Sequence, residues 1–168
     1  MIINTQVAVR NQAELDFIQA TTAVVKTLND KFNLGLSELT FARKSSWGGA
    51  TAKSATTRQY RDGRLEFWVN IKELSMTPEQ VKRLAFRLLE GARYFAIVNA
   101  KVPLDFVDIL DEMFKRPNER LARTAGGKLK KSTKIILASR RYAVQQLRDY
   151  FSDQSITYES IQEELEEA

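Results

Sequence analysis

The chain has 168 residues, 43% of them hydrophobic and 28% charged, which describes one globular domain able to bury its own core rather than a disordered segment. It contains neither cysteine nor histidine. That excludes disulfides, thiolate nucleophiles, thiolate zinc sites and the usual general base near neutral pH, leaving to an enzyme only a carboxylate-held magnesium, a Ser–Lys pair or a carboxylate acid–base pair.

The net charge of +5 is unevenly spread. Residues 152–168 hold six acids (Asp153, Glu159, Glu163, Glu164, Glu166 and Glu167) and no base, so residues 1–151 carry all 26 Lys and Arg against 15 acids, a charge of +11. A basic body ending in an acidic tail suits a polyanionic partner, with a tail that competes for the same surface. The expected organisation is a single α+β domain over 1–151 and an acidic C-terminal helix or tail over 152–168. No apolar run approaches the ~18 residues of a bilayer span, and the start MIINTQVAVR lacks the layout of a signal peptide. The expectation is a cytoplasmic protein without membrane contact.

In chain order, Asn11 and Glu14 have capping-box spacing, and Leu15, Ile18, Val25, Leu28 and Phe32 follow at helical intervals. They predict a first amphipathic helix that ends near Gly35. The next stretch, ELTFARKSSWGGATAKSATTRQYRDGRLEFWVNI, is rich in threonine, aromatic and β-branched residues and broken by Gly48-Gly49 and Asp62-Gly63. It predicts an antiparallel three-stranded meander with a type I′ turn at Asp62-Gly63, after which Leu65, Phe67, Val69 and Ile71 face the core. Thr77-Pro78-Glu79-Gln80 starts a long central helix, whose apolar stripe runs from Val81 through Leu84, Leu88 and Leu89 to Phe95 and packs on the sheet. Further helices are expected from Pro103 to Pro117, over 133–152, and from about Thr157.

Inside the central helix stands RLLEGARY, a carboxylate between two arginines. The order helix, antiparallel hairpins, long helix, further helices resembles that of the SprT-like metalloproteases, the family that includes Spartan. In that family the long helix carries HExxH, two histidines one turn apart that hold zinc and a glutamate that activates water. The corresponding window here is Leu89-Glu90-Gly91-Ala92-Arg93, and only the glutamate matches. The resemblance therefore implies a zincin-like scaffold without catalysis or cofactor, with Glu90 paired to Arg93, Arg87 or a residue of the sheet. Read locally, Glu90 and Arg87 lie three apart and form an ion pair on an exposed helix flank.

Two other carboxylate sets fall short of a site. Asp62, Glu66 and Lys72 lack the acid and lysine two apart on one strand face that a magnesium nuclease needs, since position 70 is Asn70. Asp105, Asp108, Asp111 and Glu112 fit an exposed acidic helix face.

The strongest chemical signal is basic. From Lys115 to Arg148 there are eleven cations (Lys115, Arg116, Arg120, Arg123, Lys128, Lys130, Lys131, Lys134, Arg140, Arg141 and Arg148) against Glu119 alone. Within it TAGGKLKKSTK is small, cationic and leads into a helix that opens on Ser132 and Thr133, a combination suited to phosphate oxygens and not to base reading. A second run, Arg43, Lys44, Lys53, Arg58, Arg61 and Arg64, is interleaved with Trp47, Tyr60 and Trp68, which can stack unpaired bases or belong to the core. The sequence thus points to a non-enzymatic protein that contacts the phosphates of DNA or RNA, mainly through 115–141 and secondarily through 43–64, with Trp47 beside the second run. The competing expectation is a protein–protein module that binds an acidic partner surface, either an inactive zincin-like adaptor or a viral accessory or structural protein.

Overall fold

The computed structural model describes residues 1–5, 8–43, 55–71, 77–99 and 131–156. Among them the elements run β1 (Ile2–Thr5), α1 (Gln12–Phe32), β2 (Leu36–Ala42), β3 (Ala55–Gln59), β4 (Leu65–Asn70), α2 (Pro78–Asn99) and α3 (Lys131–Phe151). The expected helices at 103–117 and beyond Thr157 lie outside the described residues.

Helix α1 begins as the sequence indicates. Asn11 is its N-cap, with Oδ1 accepting from the Glu14 N–H at 2.9 Å. Phe17, Ile18, Val25 and Leu28 are buried, whereas Leu15 lies on the exposed flank. The helix stops where Asn33 turns left-handed at φ 49° and its N–H returns to the Asn29 carbonyl. Helix α2 opens on a reciprocal capping box: the Gln80 N–H donates to Thr77 Oγ1 and the Thr77 N–H to Gln80 Oε1, which satisfies two otherwise orphaned donors.

The chain is α+β, but its sheet is mixed rather than a meander. Four strands are ordered β1-β2-β4-β3, with β1 parallel to β2, β2 parallel to β4, and β3 antiparallel to β4. The β3–β4 hairpin is the part the Asp-Gly signal announces. β2 does not pair with β3, because the twelve residues between them free it from a tight turn and it takes the other side of β4. β4 is therefore central, and all six of its residues are buried, as a strand covered on both faces should be. The β1–α1–β2 path is a parallel crossover, which needs a connection the length of a helix.

The hairpin turn also differs from type I′. The Gly63 N–H bonds to the Tyr60 carbonyl at 2.9 Å and Gly63 has φ 88°, while Arg61 and Asp62 keep negative φ. This is the longer loop in which an ordinary turn is closed by a left-handed glycine, and Asp62 Oδ1 braces it by accepting from the Arg64 N–H.

One sheet face carries Leu39, Phe41, Ala55, Leu65, Phe67 and Val69, and packs with α1, α2 and α3 into a single core. Phe17 meets Phe41 edge to face across it. Ile156 joins the same core beyond the end of α3, and its carbonyl accepts from Arg148 Nε at 2.6 Å. The buried core thus continues past residue 151. No described helix is long and apolar enough to cross a membrane.

Candidate functional site

Helices α2 and α3 pack side by side and bring together parts of the chain more than thirty residues apart. Together they carry nine Lys and Arg against Glu79, Glu90 and Asp149. Several hold local partners: Lys82 meets Asp153 at 3.4 Å, Arg93 donates to Gln146 Oε1 at 3.0 Å and stacks on Tyr142. Arg148 holds the Ile156 carbonyl.

Glu90 lies at the meeting of the two helices. Its Oε1 is 3.8 Å from Arg87 Nη1 and its Oε2 is 4.0 Å from Arg140 Nε. The Arg87 partner is legible from the i, i+3 spacing. Arg140, fifty residues on, is not, and the pair sits in a helix–helix interface instead of on an exposed flank: Arg87 is 4% exposed. Arg93 points elsewhere, to Gln146 and the Phe32 carbonyl.

Beside Glu90 is a cavity of about 210 Å³, lined by Thr56 and Thr57 of β3, Arg87, Glu90 and Tyr94 of α2, and Ser139 of α3, with Phe95 and Ile136 as apolar wall. Gly91 lets α2 approach the edge strand, since a methyl group there would overlap the Thr57 side chain. The family resembled at Glu90 would place a zinc ion on positions 89 and 93. Leu89 is in the core and Arg93 is a cation bonded to Gln146, so these residues do not fit a metal. Among the described residues, no three carboxylates gather into a metal site either.

The residues singled out from the sequence fall into three groups. Lys44, Trp47, Lys115, Arg116, Arg120, Arg123, Lys128 and Lys130 lie outside the described residues, as does the side chain of Lys131. Lys134 is half-buried and Arg61 exposed; Arg58 is half-buried over the Trp68 ring at 4.1 Å, and Trp68 is itself buried. Arg64 is exposed over the Tyr60 ring, Lys53 lies outside the described residues, and Arg43, Arg140 and Arg141 are committed inward. Arg43 forms a two-pronged pair with Glu14, Nη1 to Oε2 at 2.8 Å and Nη2 to Oε1 at 2.9 Å; Arg140 flanks Glu90, and Arg141 is 1% exposed. Arg43 and Arg141 are thus not placed to meet a phosphate, because one is neutralised by a buried carboxylate and the other lies in the interior.

Two carboxylates have structural roles that the sequence does not announce. Glu14 is fully buried; the Arg43 guanidinium holds its carboxyl well below the ordinary range, at about 2, against burial and with help from the Arg10 N–H. Glu66 accepts from the Tyr60 hydroxyl and so raises the tyrosine's pKa above its usual value. Comparison with protein-family models, with curated proteins and with solved structures finds no match.

Proposed function

We propose that the chain is a non-enzymatic nucleic-acid-binding protein that engages the phosphate backbone of DNA or RNA without strong sequence preference. One observation supports this reading: two helices packed on one another hold nine cations, Arg87 and Arg141 among them buried, against three acids, and α3 is entered directly from the cationic stretch TAGGKLKKSTK. A helix pair that carries more cations than acids contributes a positive potential that draws polyanions in. Lys128, Lys130, Lys131 and Lys134 then supply the charges that displace counterions from phosphates.

Replacing those four lysines with glutamine weakens binding to unrelated DNA and RNA sequences alike and flattens its salt dependence, by about 0.9 in log–log slope for each duplex phosphate left without its lysine. Fluorescence anisotropy at several salt concentrations measures both. An unchanged binding curve removes that segment from the interface.

A second reading, a protein–protein module on a zincin-like scaffold, is favoured by strand β1. It is a sheet edge without charge or proline, and its Ile2 is 68% exposed; such edges accept an added strand unless they are blunted. A protein interface of that kind responds weakly to salt, and this separates the two readings.

A further inference from the structure

Ile2, on the outermost strand, is the most exposed large hydrophobic side chain among the described residues. We propose that β1 is the contact through which two copies of this chain pair, antiparallel and about a twofold axis, so that their sheets join into one. The inference stands apart from the nucleic-acid reading, and it names an occupant for the open edge of β1.

The core face of the sheet leads to this edge. One row of side chains crosses it from Phe67 on β4 through Leu39 on β2 to Ile3 on β1. Phe67 and Leu39 are fully buried, whereas Ile3, at the outer end of the same row, is 38% exposed. Ile2 stands on the other face beside Glu38. An apolar row thus runs out at a strand edge with no neighbour, the arrangement that takes up another strand unless it is blunted. The opposite edge is blunted: β3 carries Arg58, and Arg61 and Arg64 follow it.

Charge and pattern select the occupant. Residues 1–9, MIINTQVAV, hold no charged side chain in a chain that is 28% charged. A polyanion or an acidic protein finds no side-chain cation on this stretch, so its complement is a neutral, apolar strand. A second copy supplies one, and the fit is self-complementary. Residues directly opposite in an antiparallel pair share a face of the sheet, so a twofold pairing is centred on a single residue. Centred on Ile3, it sets the two Ile3 side chains against each other and each Ile2 opposite Asn4 of the second copy. The buried row then continues through both Ile3 side chains into the second core, with a β-branched pair at the junction. Pairing of four-residue strands is short and belongs with weak interfaces of less than ~1,200 Å². The net charge of +5 on each copy opposes it until salt screens the repulsion.

Sedimentation velocity on the full chain, from micromolar to near-millimolar concentration, tests the pairing. A monomer–dimer shift is expected that strengthens between low and moderate salt, opposite in sign to nucleic-acid binding. Ile2→Lys places like charges on both paired edges and weakens association roughly tenfold. The introduced amine lies beside Glu38 of the chain's own β2, so β1 keeps its place in the sheet. Because the chain has no cysteine, Ile3→Cys and Ile2→Cys read the register: mild oxidation joins two copies through position 3 faster than through position 2. A wild-type chain that stays monomeric, a dimer untouched by Ile2→Lys, or crosslinking no faster at position 3 overturns the proposal. So does a monomeric chain that instead takes up an uncharged strand peptide of unrelated sequence. If Ile2→Lys loosens the fold, the wild-type concentration series and the two cysteine variants still decide. None of these outcomes bears on phosphate binding.

Discussion

Glu14 shows how one residue serves two purposes. As the third residue of α1 it completes the cap at Asn11, and that role is legible from the spacing of the two. Its pairing with Arg43, 29 positions away, is not, because only the folded sheet brings them together. The same pairing sets a pH dependence. Arg43 depresses the Glu14 pKa from an ordinary 4.5 to about 2. A carboxyl whose pKa falls on folding stabilises the protein above its unfolded value, and that contribution is lost as pH falls through the folded one. Melting temperature should therefore drop between pH 4.5 and 2, and Glu14→Gln should flatten that limb while leaving the rest of the profile parallel. An identical acid limb in the variant would show that Glu14 is not the group responsible. Gly91 gives a second test at this scale. Alanine in mid-helix is ordinarily worth about 1 kcal/mol over glycine, but here its methyl would collide with Thr57, and overpacking costs about 1–3 kcal/mol. Gly91→Ala is expected to destabilise on balance, and the Gly91→Ala/Thr57→Ala pair to recover most of the loss in urea unfolding. A stabilised single variant would mean that α2 does not approach β3 so closely.

At the scale of elements, local chemistry is the legible part. The caps at Asn11 and Thr77 lie where their spacing places them, and the alternating residues after Asp62-Gly63 do face the core. Removing the hydroxyl in Thr77→Ala should cost about 1 kcal/mol, read as a lower urea midpoint with an unchanged slope; no shift would mean that the cap contributes nothing in solution. What the sequence conceals is long-range pairing. Side-chain alternation reports which face a residue occupies and not which strand lies next to it, so the antiparallel hairpin is readable and the parallel β2–β4 pairing is not. β4 does hold a clue, in that Glu66, Trp68 and Asn70 alternate with apolar residues yet are buried. β1 escapes a sequence reading because a strand of four residues, none of them buried, carries almost no periodic signal.

For the whole molecule, composition and patterning give the α+β class and the uneven charge, while the arrangement of that charge depends on the fold. Arg43 and Arg141 look equivalent to other cations in the sequence, and the fold withdraws both from any surface interface. It also packs α2 against α3, so that four cations of one helix and five of the other belong to one helix pair, with Arg87 and Arg141 buried. The central claim is that this helix pair serves a polyanion. The most direct measurement is the slope of log affinity against log salt for binding to unrelated duplexes and single strands. A polyelectrolyte interface predicts a steep, linear decrease, near about −0.9 per neutralised phosphate on duplex DNA, with similar slopes across sequences. Absent binding, or an affinity that barely changes with salt, would contradict it.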